Sequence, residues 1–316
     1  MTTASPARTA QRGVRRLGDR VFSGTAVGAG IVILLLLAAV ALFLITQSIP
    51  AFTVDPDDVS ILRGQSFIEY VGPLVFGTIW AALLALIVAA PLAIGIALFI
   101  SHYAPRRIAS VIGYVIDLLA AVPSVVYGLW GATTFAPIVR PFYVWLNENL
   151  GWFPLFGGDV SATGRTILTA SLVLAVMILP IMTAICREVF LQAPRLHEEA
   201  ALALGATRWE MIRMAVLPFA RGGMVSAAML ALGRALGETM AVTMVLSVSG
   251  VISVELLTST NPTTIPANIA LSFPEAYGEG VNVLIATGLI LFLVTFAVNA
   301  LARYIVNRRS AFSGAN

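Results

Sequence analysis

The stretch "MLALGRALGETMAV", residues Met229–Val242, places Arg234 and Glu238 four positions apart in a run that is otherwise small or apolar. The rest of the chain is also apolar, because 59% of its 316 residues are hydrophobic and only 11% are charged. The apolar residues form blocks of about twenty rather than recurring at the 3.6-residue spacing of a soluble amphipathic helix. This pattern predicts an all-α integral membrane protein and places both charges inside the membrane.

The apolar blocks predict six transmembrane helices, each long enough to cross a hydrocarbon core of roughly 30 Å. Residues 1–23 are predicted to be a basic cytoplasmic tail, residues 73–302 the main membrane domain and residues 303–316 a cytoplasmic C-terminus. An even number of spans puts both termini on the same side of the membrane. The predicted spans are Gly24–Thr46, Pro73–Ile100, Ile108–Ala136, Thr166–Cys186, Gly223–Ser249 and Asn282–Ala302.

All 19 basic residues are arginines, and their distribution predicts the orientation. Fifteen lie in the N-terminal tail, in the loops between spans 2 and 3 and between spans 4 and 5, and at the C-terminus. The positive-inside rule assigns these segments to the cytoplasm. The formal net charge of +3 therefore reflects membrane topology, with a tail that faces lipid, rather than nucleic-acid binding.

Several kinds of catalytic chemistry lack their sequence signatures. A P-loop needs a lysine to reach the nucleotide phosphates, and the chain contains no lysine. A Gly-x-Ser-x-Gly nucleophile elbow and a His-Glu-x-x-His zinc pair are also missing from the sequence. Cys186 is the single cysteine, and His102 and His197 are too isolated to suggest a metal site. We therefore expect a chain that is not an enzyme, with no catalytic residues, no cofactor and no metal site.

The 187–222 segment is the one sizeable cytoplasmic loop that the predicted topology leaves. Pro194 is suited to open a helix there, and Gly205 permits a turn after it. A second short helix is expected over Arg208–Val216, where Leu217-Pro218 should stop it before the chain re-enters the membrane. Contact with a soluble partner should occur on this loop.

Glu199-Ala200-Ala201, then Gly205, and then Leu217-Pro218 resemble the EAA loop of permease subunits in ATP-binding-cassette importers. That loop docks on the ATPase subunit, so the resemblance implies an ATPase-coupling role for these residues. Ala215 is a mild departure, since the family often has isoleucine there. The alternative is an ordinary amphipathic loop that lies on the lipid surface.

Three further stretches resemble permease subunits of the phosphate-specific importer. The length of the N-terminus and of the loop after span 1 is more similar to its C-type than to its A-type permease. The resemblance implies a type I, MetI-like permease core in the bacterial plasma membrane. It also implies a second homologous permease, two copies of the ATPase, an extracytoplasmic phosphate-binding protein, and inorganic phosphate as substrate. The stretches are DLLAAVPSVVYGLWG (Asp117–Gly131), LGRALGETMAVT (Leu232–Thr243) and GLILFLVTFAVNALAR (Gly288–Arg303).

Two other functions remain open at this point. A permease for another oxyanion, such as sulfate or molybdate, would also use a buried arginine. An ion-coupled secondary carrier would transport without ATP and would have no use for the EAA-like segment, and the sequence shows no convincing inverted repeat to support it.

Arg234 and Glu238 are the main candidates for the substrate pathway. In a continuous helix that enters near Gly223, Arg234 lies roughly 16 Å into the membrane, and Glu238 lies one turn further on the same face. Isolated charges at that depth cost at least about 2.5 to 3.5 kcal/mol each, which favours an inward, water-lined face. One reading is a structural ion pair that stabilises helix packing.

The other reading is that Arg234 attracts phosphate, since a guanidinium matches phosphate oxygens with a planar fork. Glu238 would then hold the arginine until the passage opens, and the resemblance implies phosphate passage for this pair. Asp117 is a further candidate for the pathway or gate. Its alternative is a carboxylate satisfied by a helix end, an arginine or trapped water.

Two outer loops are also predicted to contain helical structure. The aromatic residues of Pro137–Arg165 are typical of a helix at the membrane interface. The last outer loop is expected to contain a short helical or re-entrant stretch around Ile265–Leu271.

Overall fold

A computed structural model describes residues 17–247 and 249–310, so most of the predicted basic tail and the last six residues lie outside the described part. The described ranges are helical and contain no β-strand, which confirms the all-α class. The helices are α1 Leu17–Ser48, α2 Phe67–Leu98, α3 Arg106–Ala120, α4 Ser124–Trp130, α5 Ala136–Leu150, α6 Ile167–Leu191, α7 Arg195–Ala203, α8 Arg208–Met211, α9 Leu217–Leu236, α10 Met240–Val245, α11 Ile265–Ser272 and α12 Glu279–Ser310.

Five helical segments of the described residues are long and apolar enough to cross a membrane, and a bent pair of helices brings the number to six if the pair is one span. The first is α1, which belongs to a separate compact unit, Met1–Gln47, and none of its most apolar window is buried inside the protein. All other helices belong to the unit Ser48–Asn316.

Helix α6 is the centre of this second unit, because 67% of its most apolar window is buried and it packs against α2, α3 and α9. The surface of α2 that takes part in this core is a ladder of alanines. Small side chains at every fourth position allow two helix backbones to approach closely. This close packing stabilises the association of helices in a membrane, where the hydrophobic effect does not drive it. Each member is at most 1% exposed, and the ladder consists of Ala81, Ala85, Ala89, Ala93 and Ala97.

The last outer loop folds back into the unit as predicted, with α11 at its centre. Its start is buried against α2, where the hydroxyl of Thr78 accepts a hydrogen bond from the backbone N–H of Ile265 at 2.9 Å. Asn261 is fully buried, and its side-chain oxygen accepts a hydrogen bond from the backbone N–H of Ile167 at 3.0 Å. These bonds tie the loop to α2 and to the start of α6.

The predicted third span is not one straight helix. Helix α3 ends at Ala120, and the helical segment that begins at Ser124 leaves it at an angle of 91°. Pro123 causes the break, because a proline disfavours helical geometry in the preceding residue and cannot donate its own backbone N–H. The helical segment after the break continues into α5, so the predicted helix in the aromatic outer loop is present over Ala136–Leu150.

The predicted fifth span is also interrupted. Helix α9 ends at Leu236, and α10 begins only at Met240, so the expectation of a continuous helix through Glu238 is wrong. Gly237 caps the end of α9, and glycine is the residue that most readily leaves helical geometry. The two interruptions, Ala121–Pro123 and Gly237–Thr239, determine the geometry of the candidate site.

The loop that was predicted to be cytoplasmic begins as expected and ends differently. Pro194 precedes α7, and Gly205 adopts a φ of +87°, a left-handed conformation that favours glycine. Leu217-Pro218 does not stop the second helix, because α8 continues through a π-helical segment, Ile212–Val216, into α9. The wider π turn directly before Pro218 gives room to its ring, which would otherwise clash with a carbonyl in the preceding turn.

Candidate substrate pathway and coupling surface

The segments that follow the two helix breaks pack against each other. Helix α4 contacts α10 along its length, and Gly128 lies at the closest approach. A Cβ atom at Gly128 would be 2.8 Å from the Cα of Ala241, so no larger residue fits there without moving the backbone. The two breaks are therefore neighbours in space, although they are more than a hundred residues apart in sequence.

Tyr127 forms a hydrogen bond across the first helix break. Its hydroxyl donates a hydrogen bond of 2.9 Å to the carbonyl of Leu119 in the last turn of α3, which also accepts one of 3.3 Å from the backbone N–H of Val122. The sequence singled out the stretch that contains Tyr127 but gave the tyrosine no role, because its contact depends on the bend.

Arg234 occupies the last turn of α9 and is exposed to a cavity of about 720 Å³. The cavity is formed by one face of α9 together with Ile181 of α6 and the end of α12. Within the described residues, the side chain of Arg234 has no ion-pair partner and no hydrogen bond. An exposed guanidinium without a partner is available to an anion.

Glu238 is 8% exposed and lies in the break, outside both helices. One of its carboxylate oxygens accepts a hydrogen bond of 3.0 Å from the backbone N–H of Ala241, in the first turn of α10. Among the described residues Glu238 forms no ion pair, so the expected pairing with Arg234 is absent in this structure. The reason is the helix end at Leu236, which removes the one-turn spacing that would have aligned the two side chains.

Asp117 lies on α3, one turn before the first break, and its side chain is exposed. The part of the chain that the structure describes gives Asp117 no ion pair and no side-chain hydrogen bond. The structure therefore does not join it to Arg234 or Glu238. Its place beside the bend keeps it a candidate for the pathway.

Arg165 contributes to the same region from the outer end of α6. Its guanidinium donates a hydrogen bond to the carbonyl of Met244, in the last turn of α10. A cation at that position satisfies a free carbonyl and interacts well with the negative end of the helix. The sequence predicted only that Arg165 lies in an outer loop, since a contact across 79 positions leaves no local pattern.

The predicted ATPase-coupling residues lie on the segment from α7 to the start of α9. Glu199, Ala200, Gly205 and Pro218 are exposed, while Ala201 and Leu217 are half-buried against the core. Large apolar side chains are exposed on the same segment, including Leu204 at 90% exposure. Exposed apolar residues this close together are typical of a surface that a partner covers. The other members of this coupling surface are Leu196, Leu202 and Trp209.

A contact between a histidine and a carboxylate joins the candidate coupling surface to the end of the span that contains α2. Nε2 of His102, in the π-helical segment that ends α2, is 3.7 Å from a carboxylate oxygen of Glu198 on α7. Nδ1 of the same ring is hydrogen-bonded to the hydroxyl of Ser101 at 2.7 Å, which orients the ring. The sequence treated His102 as isolated, because only the fold brings the end of α2 beside α7.

Comparisons with known proteins were made for the whole chain. Residues 89–311 match the family model "Binding-protein-dependent transport system inner membrane component". The chain is 45% identical over 302 residues to "Phosphate transport system permease protein PstC 2" of Mycobacterium tuberculosis, covering 92% of each chain. It is 42% identical to "Phosphate transport system permease protein PstC" of Mycobacterium leprae, covering 94% of this chain and 95% of that one.

A relative of the same name from Mesorhizobium japonicum is 40% identical, covering 96% of this chain and 94% of that one. Among solved structures, a chain of the inward-facing MetNI methionine ABC transporter is similar at 16% identity, with a TM-score of 0.49. That similarity covers 77% of this chain and 95% of the MetNI chain.

Proposed function

The chain belongs to the family of binding-protein-dependent transport system inner membrane components, and from this premise we propose that it is a permease subunit of an ATP-driven phosphate importer. The main support for phosphate as the substrate comes from relatives that are 40 to 45% identical and cover more than nine-tenths of the chain. Their names favour phosphate over sulfate or molybdate, and C-type over A-type. The chain is a multi-pass membrane protein and a transport subunit rather than an enzyme.

The ATPase subunits dock on the coupling surface, in two copies per importer, one for each of two homologous permeases. This assignment is supported by the exposed Leu196, Leu202, Leu204 and Trp209 around the EAA-like residues, since an apolar surface of this kind needs a covering partner. Gly205 supports it further, because its left-handed turn leaves open space in which a partner can approach the backbone. Both termini then lie in the cytoplasm, and an extracytoplasmic phosphate-binding protein meets the opposite face.

Phosphate passes Arg234 on its way between the two permeases. Support comes from the position of Arg234 at the helix break, its exposure to the cavity and its lack of a protein partner in the described residues. A site with one strong anion contact binds phosphate without trapping it. Glu238 has a different role from Arg234, because its hydrogen bond to the start of α10 maintains the break that exposes the arginine. Asp117 is a third member of the pathway, beside the other break.

During transport, the two helix breaks change between alternative arrangements. ATP binding on the partner subunits moves the coupling surface, and this movement switches the pathway between inward-facing and outward-facing states. Because α4 and α10 are in direct contact, a movement of one break shifts the other.

The decisive experiment is phosphate uptake into vesicles that contain this chain together with its ATPase, its second permease and its binding protein. Uptake should require ATP and all four components, and excess sulfate should not compete. Uptake by the chain alone along an ion gradient would instead establish a secondary carrier. Competition by sulfate or molybdate at equal concentration would overturn the phosphate assignment.

A further inference from the structure

The cytoplasmic end of the cavity beside Arg234 contains a second arginine, Arg303, which has no role in the transport step proposed above. Arg303 and Asn299 lie four residues apart on α12, so both side chains project from one face of that helix and line the cavity. Opposite them, Ser226, Met229, Leu230 and Gly233 form one stripe of α9 with the spacing of a single helix face.

The two arginines occupy different depths. Helix α9 runs outward from the coupling surface, and Arg234 lies eight residues beyond Ser226, which is about 12 Å along the helix axis. Helix α12 runs in the opposite direction, from the outer loop toward the C-terminus, so Arg303 lies near its inner end. Arg303 is still within the candidate membrane span Glu279–Tyr304.

The charges in this cavity are unbalanced. Two guanidinium groups line it, and none of its described lining residues is acidic. Like Arg234, Arg303 has no ion pair within the described ranges. Two like charges that line one cavity repel each other, and an anion beside either guanidinium would reduce this cost. The planar fork of arginine and the amide of asparagine are both suited to the oxygens of a phosphate group.

We propose that Arg303 and Asn299 form a second phosphate-group site at the cytoplasmic end of this cavity, which receives the anion from Arg234 before release. This inference rests on the proposed transport function. Two weak sites in series allow an anion to advance by exchange between neighbours, without one tight site that would hold it. The phosphate group could also belong to a lipid headgroup at the inner membrane surface, and the test separates the two sources.

The test uses the single native cysteine of the chain, Cys186, which is fully buried and so leaves the background of thiol labelling low. Ser226→Cys introduces a thiol at the cavity wall, in the assembled importer held without ATP. Inorganic phosphate at about ten times its dissociation constant should slow labelling by a small maleimide about tenfold, because most sites are then occupied. Adding Arg303→Gln should abolish this protection, while adding Arg107→Gln, an exposed arginine outside the cavity, should not.

Three results would overturn the proposal. Equal protection with and without Arg303→Gln would show that Arg234 alone holds the anion. Slow labelling that depends on phosphatidylglycerol in the vesicles and ignores inorganic phosphate would assign the site to lipid. Phosphate uptake that is equal in Arg303→Gln and in the parent would remove the site from the pathway. If the parent importer transports no phosphate at all, the proposed function itself fails, which is a separate outcome.

Discussion

Replacing Arg234 by glutamine should abolish phosphate uptake while the importer still assembles. The structure sets the size of both effects. Arg234 faces a cavity and has no ion pair in the described part of the chain, so its loss strands no buried partner. The change in folding free energy should therefore be within about 0.5 kcal/mol, as at other unpaired exposed positions.

The effect on transport is larger, because Arg234 would contact phosphate through two charge-assisted hydrogen bonds. Each is worth about 1.5 to 3 kcal/mol, so losing both removes at least about 3 kcal/mol, or more than 100-fold in rate. Arg234→Lys keeps the positive charge but loses the planar fork, and we expect it to recover only a small part of the uptake.

The assay is ATP-driven uptake of radiolabelled phosphate into vesicles, divided by the amount of assembled importer in the same membranes. Arg107→Gln is the matched control, since it removes an equivalent charge from an exposed position away from the cavity. Uptake by Arg234→Gln within about threefold of the parent would refute the reasoning, because even one lost charge-assisted bond predicts about a tenfold effect.

A double-mutant cycle separates this account from a structural ion pair. If Arg234 and Glu238 were paired, removing either one would cost about 3 to 5 kcal/mol, and replacing both by leucine would restore the protein. Because no ion pair joins the two side chains in the described residues, the two single effects on assembly should add within about 0.5 kcal/mol. An active and well-assembled Arg234→Leu, Glu238→Leu double variant would end the transport role.

Four further outcomes follow from the described contacts. Glu238→Ala should lower the free energy of unfolding by about 1 to 3 kcal/mol, because it leaves a backbone amide at the start of α10 unpaired. Glu238→Gln keeps an acceptor for that amide and should assemble normally. Equal thermal stability of the two variants would contradict this prediction. Gly205→Ala should lower the free energy of unfolding by about 1 to 2 kcal/mol, because its left-handed conformation is strained for alanine, and it should weaken co-purification of the ATPase. Gly222→Ala is the control and should do neither, because no atom lies within 4 Å of the added Cβ. His102→Ala should leave the importer assembled but raise the ATP hydrolysed per phosphate moved, and adding Glu198→Ala should raise it no further if the pair acts as a unit. The purified chain should neither bind nor hydrolyse ATP, and photolabelling of this chain by a competing ATP analogue would disprove that.

Composition and local pattern predicted six membrane helices, and the described residues contain five, or six if the bent pair is one span. They were also sufficient for the start of α7 and the turn after it, because Pro194 and Gly205 act on the backbone within one or two residues. The short helix in the last outer loop followed from similar turn chemistry. Each of these features depends on interactions between residues that are close in sequence, so the local sequence is enough to predict it.

The two helix breaks could not be located in the same way. Pro123 was visible, but prolines also occur at Pro91 and Pro180, where α2 and α6 continue without interruption. At Pro123, by contrast, the helix that follows the break packs against α10, a contact between segments far apart in sequence. The pairing of Arg234 with Glu238 was predicted wrongly for the same reason, because helical spacing holds only inside a helix.

The uninterrupted helix from Arg208 to Leu236 gives a physical reason for the position of Arg234. Its 29 residues begin on the coupling surface and end at the break, a distance of about 43 Å along one axis. If Leu217-Pro218 stopped the helix, a push on the coupling surface would be absorbed near the membrane surface. Because the helix continues through the π turn and past Pro218, its first interruption after the coupling surface is at Gly237, directly after the turn that contains Arg234. A displacement caused by the ATPase should therefore reach the arginine before it is dissipated.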